Sequence, residues 1–182
     1  HSRGALMSVL LAGAMPDRLS HLILLDAAWP QAVEPSQAPK QLARFLRDNR
    51  SVHKKRLPRY ASIEDAIAAR CRGFLPMTNS SARLIVERGI KQQQGEFHWT
   101  NDPRLSNASA FKMTDDHNDA FMSAVTMPTL LIMAEQGLAG HSEQREKLRR
   151  YDNIEQQVFT GGHHFHMDPF LNGTFLLPPN PL

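Results

Sequence analysis

The first 28 residues, HSRGALMSVLLAGAMPDRLSHLILLDAA (His1–Ala28), decide how the rest of the chain reads. Ala5 to Met15 has the apolar density of a buried helix, and Pro16 stops it. His21 to Leu25 is apolar at consecutive positions, the pattern of a central parallel strand covered on both faces. Ser2 stands just before the helix. A serine on a sharp strand-to-helix turn exposes its hydroxyl above a sheet. The full pattern is Gly-x-Ser-x-Gly followed by a helix and a strand, with glycines where the turn is strained and the helix packs close. Here x-Ser-x-Gly, the helix and the strand are present, and the first glycine would be residue zero. The plain alternative is that Ser2 is only a helix N-cap.

Two more apolar runs follow far downstream, Thr129 to Ala134 and Ile154 to Phe159. Helical patterns lie before and between them, Asp116 to Val125 and Ser142 to Tyr151. Strand, helix, strand, helix, strand implies an α/β parallel sheet. About a hundred residues separate the first strand from the second, whereas a parallel crossover needs only a few tens. The surplus is an insertion, so three segments are expected: 1–28 as core, 29–113 as a helical cap, and 114–182 as core with an atypical tail. Within the insertion, Lys40 to Arg47, Ser62 to Cys71 and Ser80 to Arg88 read as helices. Ser62 serves as an N-cap, Gly89 as a stop, and EFHWTNDPRL as an extended return. NGTFLLPPNPL at the end carries too many prolines for a closing helix.

Composition excludes little and narrows the setting. A 182-residue chain with 41% hydrophobic and 21% charged residues can build a sizeable core. A net charge of +3 is too small to argue for nucleic acid, and the basic run Arg50 to Arg59 has no stacking aromatics beside it. No apolar run is long enough for a membrane span, so no membrane partner is expected. Cys71 is the one cysteine, which forbids an internal disulfide and fits a reducing, cytoplasmic setting; in its helical pattern it reads as a packing residue.

A nucleophilic serine needs a base from another loop. Thr160-Gly-Gly-His-His-Phe-His-Met-Asp168 follows the third strand, and a glycine-rich turn there carries a histidine well. Three histidines in four residues also raise a metal site, but no second cluster of ligands accompanies them. The order HSRG-helix-LILLD, PTLLIMAEQG, FTGGHHFHMD resembles the C-terminal part of the α/β-hydrolase fold. The likeness is to its serine-hydrolase-like group, relatives of the haloalkane dehalogenases. WTNDPRL and the ERG closing the last cap helix resemble that group too.

The resemblance implies a serine hydrolase acting on carboxylic esters or related small acyl substrates, without a cofactor. Its pattern G-H-x-x-H-x-[DE] maps onto Gly162 to Asp168, implying His163 as base with His166 as a supporting neighbour; His164 competes if the register slips by one. The usual acid position, in Ala134-Glu-Gln-Gly-Leu138, holds Gln136 or Gly137, neither of which carries charge. Asp26 ends LILLD, 24 positions after Ser2, as in relatives that carry their acid on this strand; Glu135 is the alternative. The Arg3 N–H would supply half of an oxyanion hole, and its other half would lie upstream, so the chain reads as cut at the elbow. Trp29 and Phe165 are the expected pocket residues, with Phe45, Leu46, Phe74, Leu75 and Met77 facing an acyl group or forming the cap's own core. Asp102 is expected to pair with an arginine or cap a turn. The rival reading is a hydrolase-like domain that only binds or supports.

Overall fold

A computed structural model describes residues 1–54, 57–138 and 142–168. The tail after Asp168 and part of the basic run after Arg50 lie outside the described residues. Three parallel strands form the main sheet in the order β1 (Leu22–Leu25), β5 (Thr129–Gln136), β6 (Ile154–Gly162). Leu22 pairs with Thr129, and Thr129 in turn with Ile154, so all three strands start level. Three helices supply the main core: α1 (Arg3–Ala14), α5 (Asp115–Ser123) and α6 (Ser142–Leu148). Ala5, Val9 and Ala12 of α1 meet Leu22 and Leu24 of β1, Leu131 and Met133 of β5, Met122 of α5 and Leu148 of α6.

The second sheet face is different. Leu25, Leu130, Ile132, Ala134, Phe159 and Phe165 form a smaller cluster there. Ile23 on that face is 64% exposed, so among the described residues β1 is covered on one face rather than two. The reason is the side chosen by the helices, since the main cluster gathers on the Leu22 and Leu24 face.

The insertion holds α2 (Ala38–Arg50), β2 (Arg59–Tyr60), α3 (Ile63–Cys71), α4 (Asn79–Gly89), β3 (Ile90–Gln93) and β4 (Glu96–Trp99). It is not all helical. β2, β4 and β3 form an antiparallel sheet, and the stretch read as an extended return is one arm of its hairpin. The Gln94-Gly95 turn has positive φ at both residues, 55° and 83°, which closes a two-residue hairpin. Ser62 caps α3 by accepting from the Asp65 N–H at 3.0 Å. Gly89 ends α4 for a packing reason: a methyl there would stand 2.7 Å from the Trp99 ring. Ala66, Ile67, Met77, Ala82 and Val86 make a separate core, with Cys71 packed against it as a free thiol. Phe74 and Leu46 join no core and are largely exposed. Asp102 does both things expected of it, capping the Arg104 N–H at 2.8 Å and pairing with the Arg104 guanidinium, which lowers its pKa to about 2.

Helices α1 and α5 cross closely at Gly13, where an added methyl would stand 2.5 Å from the Phe121 carbonyl oxygen. Gly13→Ala is therefore expected to destabilise the fold by about 1–3 kcal/mol, read as a lower urea midpoint. Gly4→Ala, whose methyl meets nothing within 4 Å, is expected to be neutral or stabilising by up to ~1 kcal/mol.

Candidate active site

Ser2 sits at the junction between the sheet edge and α1. Its N–H donates to the Leu25 carbonyl at 3.0 Å, which fixes it beside the C-terminal end of β1. Its backbone has φ 54° and ψ −128°, a conformation that costs a non-glycine residue about 1–3 kcal/mol. Although it occupies the N-cap position, its side chain makes no capping bond with α1. The plain N-cap reading therefore fails, and the hydroxyl is left for another use. The strain of the turn is carried by Ser2 itself rather than by close packing at Gly4. Because α1 begins at Arg3, the Arg3 N–H has no acceptor within the helix. The Arg3 side chain turns away and donates to the Leu105 carbonyl at 3.2 Å.

One residue past β1, Asp26 also has positive φ, 49°, and is completely buried. Its N–H extends the ladder to the Ile132 carbonyl at 2.8 Å. Three N–H donors converge on its carboxylate: Ala134 N–H on Oδ1 at 3.0 Å, Leu138 N–H on Oδ2 at 2.7 Å, and His163 Nδ1–H on Oδ2 at 2.6 Å. The space for this carboxylate comes from Gly137. A methyl at Gly137 would stand 2.1 Å from Oδ2 and 2.3 Å from Oδ1. The glycine found where an acid was sought is thus the void into which an acid from the neighbouring strand reaches. Glu135, the other candidate, lies at the irregularity of β5 with its side chain exposed.

His163 follows β6 and is 2% exposed. Gly161 permits the approach with φ 126°. With Nδ1 given to Asp26, Nε2 is buried and has no hydrogen-bond partner among the described residues. The structure brings His163, not His164, to the acid. His164 instead accepts from Arg70 Nη2 at 3.0 Å through Nε2, since a guanidinium only donates. Burial first, then the Arg70 charge, lowers its pKa to about 4. His166 lies against His1, their ring centres 4.2 Å apart and their planes tilted by 48°, and burial followed by the N-terminal ammonium charge lowers its pKa. His1 donates from Nε2 to the His163 carbonyl at 2.9 Å. The segment beginning HSRG and the histidine loop therefore meet directly.

The His163 Nδ1, His164 Nε2 and His1 Nε2 atoms are already engaged, and among the described residues no group of three or more ligating side chains is arranged for an ion. The two expected pocket residues also need correction. Trp29 belongs to the main core: its indole N–H donates to Asp115 at 2.9 Å, and Lys147 and Arg150 lie over its ring. Phe165 packs with Ile132 and Ala134 and stacks near Phe159. Each is an aromatic with a better apolar surface available than an open pocket. A cleft of about 780 Å³ does start at Arg3 and runs along α1 between Leu6, Leu10, Phe45, Leu105 and Phe111, but neither Asp26 nor His163 lines it.

Sequence reasoning gave no role to His1, Arg70, Thr78 or Ser81, all of which reach the histidine loop. No spacing rule connects them to it, because the contacts span 86 to 162 positions. Gly137 carried a signal, an uncharged residue where charge was expected.

No protein-family model matches the chain. A curated serine hydrolase-like protein of Dictyostelium discoideum is 25% identical over 182 residues, covering 92% of this chain and 50% of that protein. The crystal structure of a hypothetical protein from Pseudomonas aeruginosa PAO1 superposes with a TM-score of 0.87 at 36% identity, covering 91% of this chain and 58% of that one. The thioesterase domain of the curacin biosynthetic pathway superposes with a TM-score of 0.77 at 17% identity, covering 92% and 60%. The chain has the α/β-hydrolase fold. It spans about half the length of the curated relative. Within this α/β-hydrolase frame, no helix among the described residues is long and apolar enough to cross a membrane.

Two outcomes are expected. Gly137→Ala should push the Asp26 carboxylate off its two backbone N–H donors and off His163, seen as loss of the shared imidazole proton in NMR while the fold's amide spectrum persists. His164, with its folded pKa near 4 against an ordinary 6.5, binds its proton more readily when unfolded. Stability should therefore hold above about pH 6.5 and fall as pH drops towards 4, and His164→Gln should flatten that slope in urea titrations.

Proposed function

We propose that this chain carries the nucleophile, base and acid of a serine hydrolase acting on carboxylic esters or related small acyl substrates. The observation that supports this reading most is the buried Asp26–His163 bond at 2.6 Å, at the sheet edge where the strained Ser2 also sits. Asp26 accepts from Nδ1–H and so leaves the Nε2 lone pair free to take a proton. In this mechanism Ser2 Oγ attacks the acyl carbonyl while His163 Nε2 takes the hydroxyl proton. The carbonyl oxygen gains negative charge and meets the Arg3 N–H, one donor of an oxyanion hole. Collapse of the tetrahedral species expels the alcohol, which leaves with the proton from His163. Water then repeats the cycle on the acyl-serine, releasing the carboxylic acid and restoring Ser2. Asp26 stays ionised throughout and stabilises the imidazolium.

Burial serves this chemistry. A carboxylate held by two backbone N–H groups and one imidazole is already solvated by protein dipoles, so little reorganisation accompanies charge formation on His163. The chemistry requires no cofactor, and its substrate is a small molecule with an acyl group.

Fluorophosphonate labelling tests the reading. A phosphonyl adduct on Ser2, absent in Ser2→Ala, is the expected result, and Asp26→Asn should lower turnover of a p-nitrophenyl ester by about 10⁴-fold. A protein that takes no label at Ser2 and hydrolyses no ester contradicts the reading and favours a domain that only binds.

A further inference from the structure

The turn between α3 and α4 grips the loop that carries His163. At the end of α3, Arg70 donates from Nη2 to His164 at 3.0 Å and from Nη1 to the Leu75 carbonyl at 3.2 Å. At the start of α4, Thr78 accepts the Ser81 N–H at 3.3 Å as N-cap and places its own hydroxyl 2.6 Å from Asp168 Oδ1. Ser81, fully buried, brings a second hydroxyl to the same oxygen at 2.7 Å and lies 2.8 Å from the Met167 carbonyl. Hydroxyl contacts this short to a carboxylate are charge-assisted and stronger than neutral ones. Asp168 also sits at the α4 N-terminus, where negative charge is favoured.

These contacts seize both ends of residues 164–168, the five that follow His163. The loop itself is a single 3₁₀ turn, Phe165–Met167, whose Phe165 packs on Ile132 and Ala134 while its two ends are held by the insertion. The insertion has its own core of Ala66, Ile67, Met77, Ala82 and Val86, so it can hold the two gripping points at a fixed spacing.

We propose that the α3–α4 turn is a clamp in which Asp168 and Arg70 are positioning residues, so that the His163–Asp26 bond is held tightly when the insertion is seated on the histidine loop. The consequence for rate rests on the serine-hydrolase reading; the clamp itself does not. It makes the insertion more than a cover. Seating it over a substrate aligns the base, and lifting it loosens the bond between the base and its acid.

The test uses the protein labelled with ¹⁵N-histidine and reads solvent exchange of the His163 Nδ1–H proton by NMR. Asp168→Ala is expected to speed that exchange about tenfold. Asp168→Asn keeps an acceptor for the two hydroxyls but loses the charge, and should fall between wild type and Asp168→Ala, a partial rescue that a mere volume effect does not give. Ser81→Ala, which leaves the carboxylate and Thr78 in place, should give an intermediate increase and serves if Asp168→Ala does not fold. Amides of Leu131 to Met133 in β5 should exchange at wild-type rates in all variants. An unchanged His163 proton in Asp168→Ala or Ser81→Ala overturns the clamp. So does an equal acceleration of the β5 amides, which marks general loss of stability. If the clamp dependence is seen but Ser2 takes no fluorophosphonate, the clamp stands and the hydrolase reading falls. If Ser2 labels but the proton ignores Asp168, the reverse holds.

Discussion

A carboxylate with no exposed surface must be paid for by its partners, and three N–H donors among the described residues reach Asp26. Taking an ion out of water costs several kcal/mol unless each lone-pair direction meets a donor. That demand shapes the surrounding chain. Strand β5 presents the Ala134 N–H at the right height only because β1 and β5 pair in register from Leu22 and Thr129. The turn after β5 must then fold back to offer the Leu138 N–H, and residue 137 must carry no side chain. Removing any one of these leaves a buried charge underserved. The residues around Asp26 are better described as its solvation shell than as a loop that happens to lie nearby.

Two apolar cores flank that shell, and they do different jobs. The main core fixes the sheet against α1, α5 and α6, and with it the positions of Ser2 and Asp26. The insertion's core fixes α3 against α4, and with them Arg70, Thr78 and Ser81. His163 lies between the two. Asp26 belongs to the first unit, and the loop behind His163 is held by both, Phe165 on β5 and His164 and Asp168 on the insertion. Trp29, at the start of the insertion, is packed into the main core, with Asp115 accepting from its indole N–H and two cations over its ring.

The sheet and helices were legible because period and punctuation are local. The three long apolar runs became β1, β5 and β6 with ends shifted by one to three residues, and Ser62 capped α3 as its hydroxyl allows. The antiparallel sheet of the insertion was not legible. Its strands are two to four residues long and polar, and only the Gln94-Gly95 turn marks them. The candidate site divides along the same line. Asp26 announces itself as a polar residue ending an apolar strand and His163 as the first histidine after a glycine-rich turn, and the structure joins them. Trp29 and Phe165 misled because an aromatic beside a site and an aromatic in a core look alike in sequence. Arg70 and Ser81 gave no signal, since an arginine and a serine at ordinary helix positions meet the histidine loop only through the fold, and Asp168 was marked only as the acidic end of the histidine pattern.

The account stands on Asp26 holding the His163 imidazole in one tautomer. The ¹⁵N chemical shifts of the His163 ring at neutral pH measure this directly. The account predicts a protonated Nδ1 and an unprotonated Nε2, with the Nδ1 proton lost from the spectrum in Asp26→Asn. A ring protonated on Nε2, or one whose tautomer does not respond to residue 26, would contradict it.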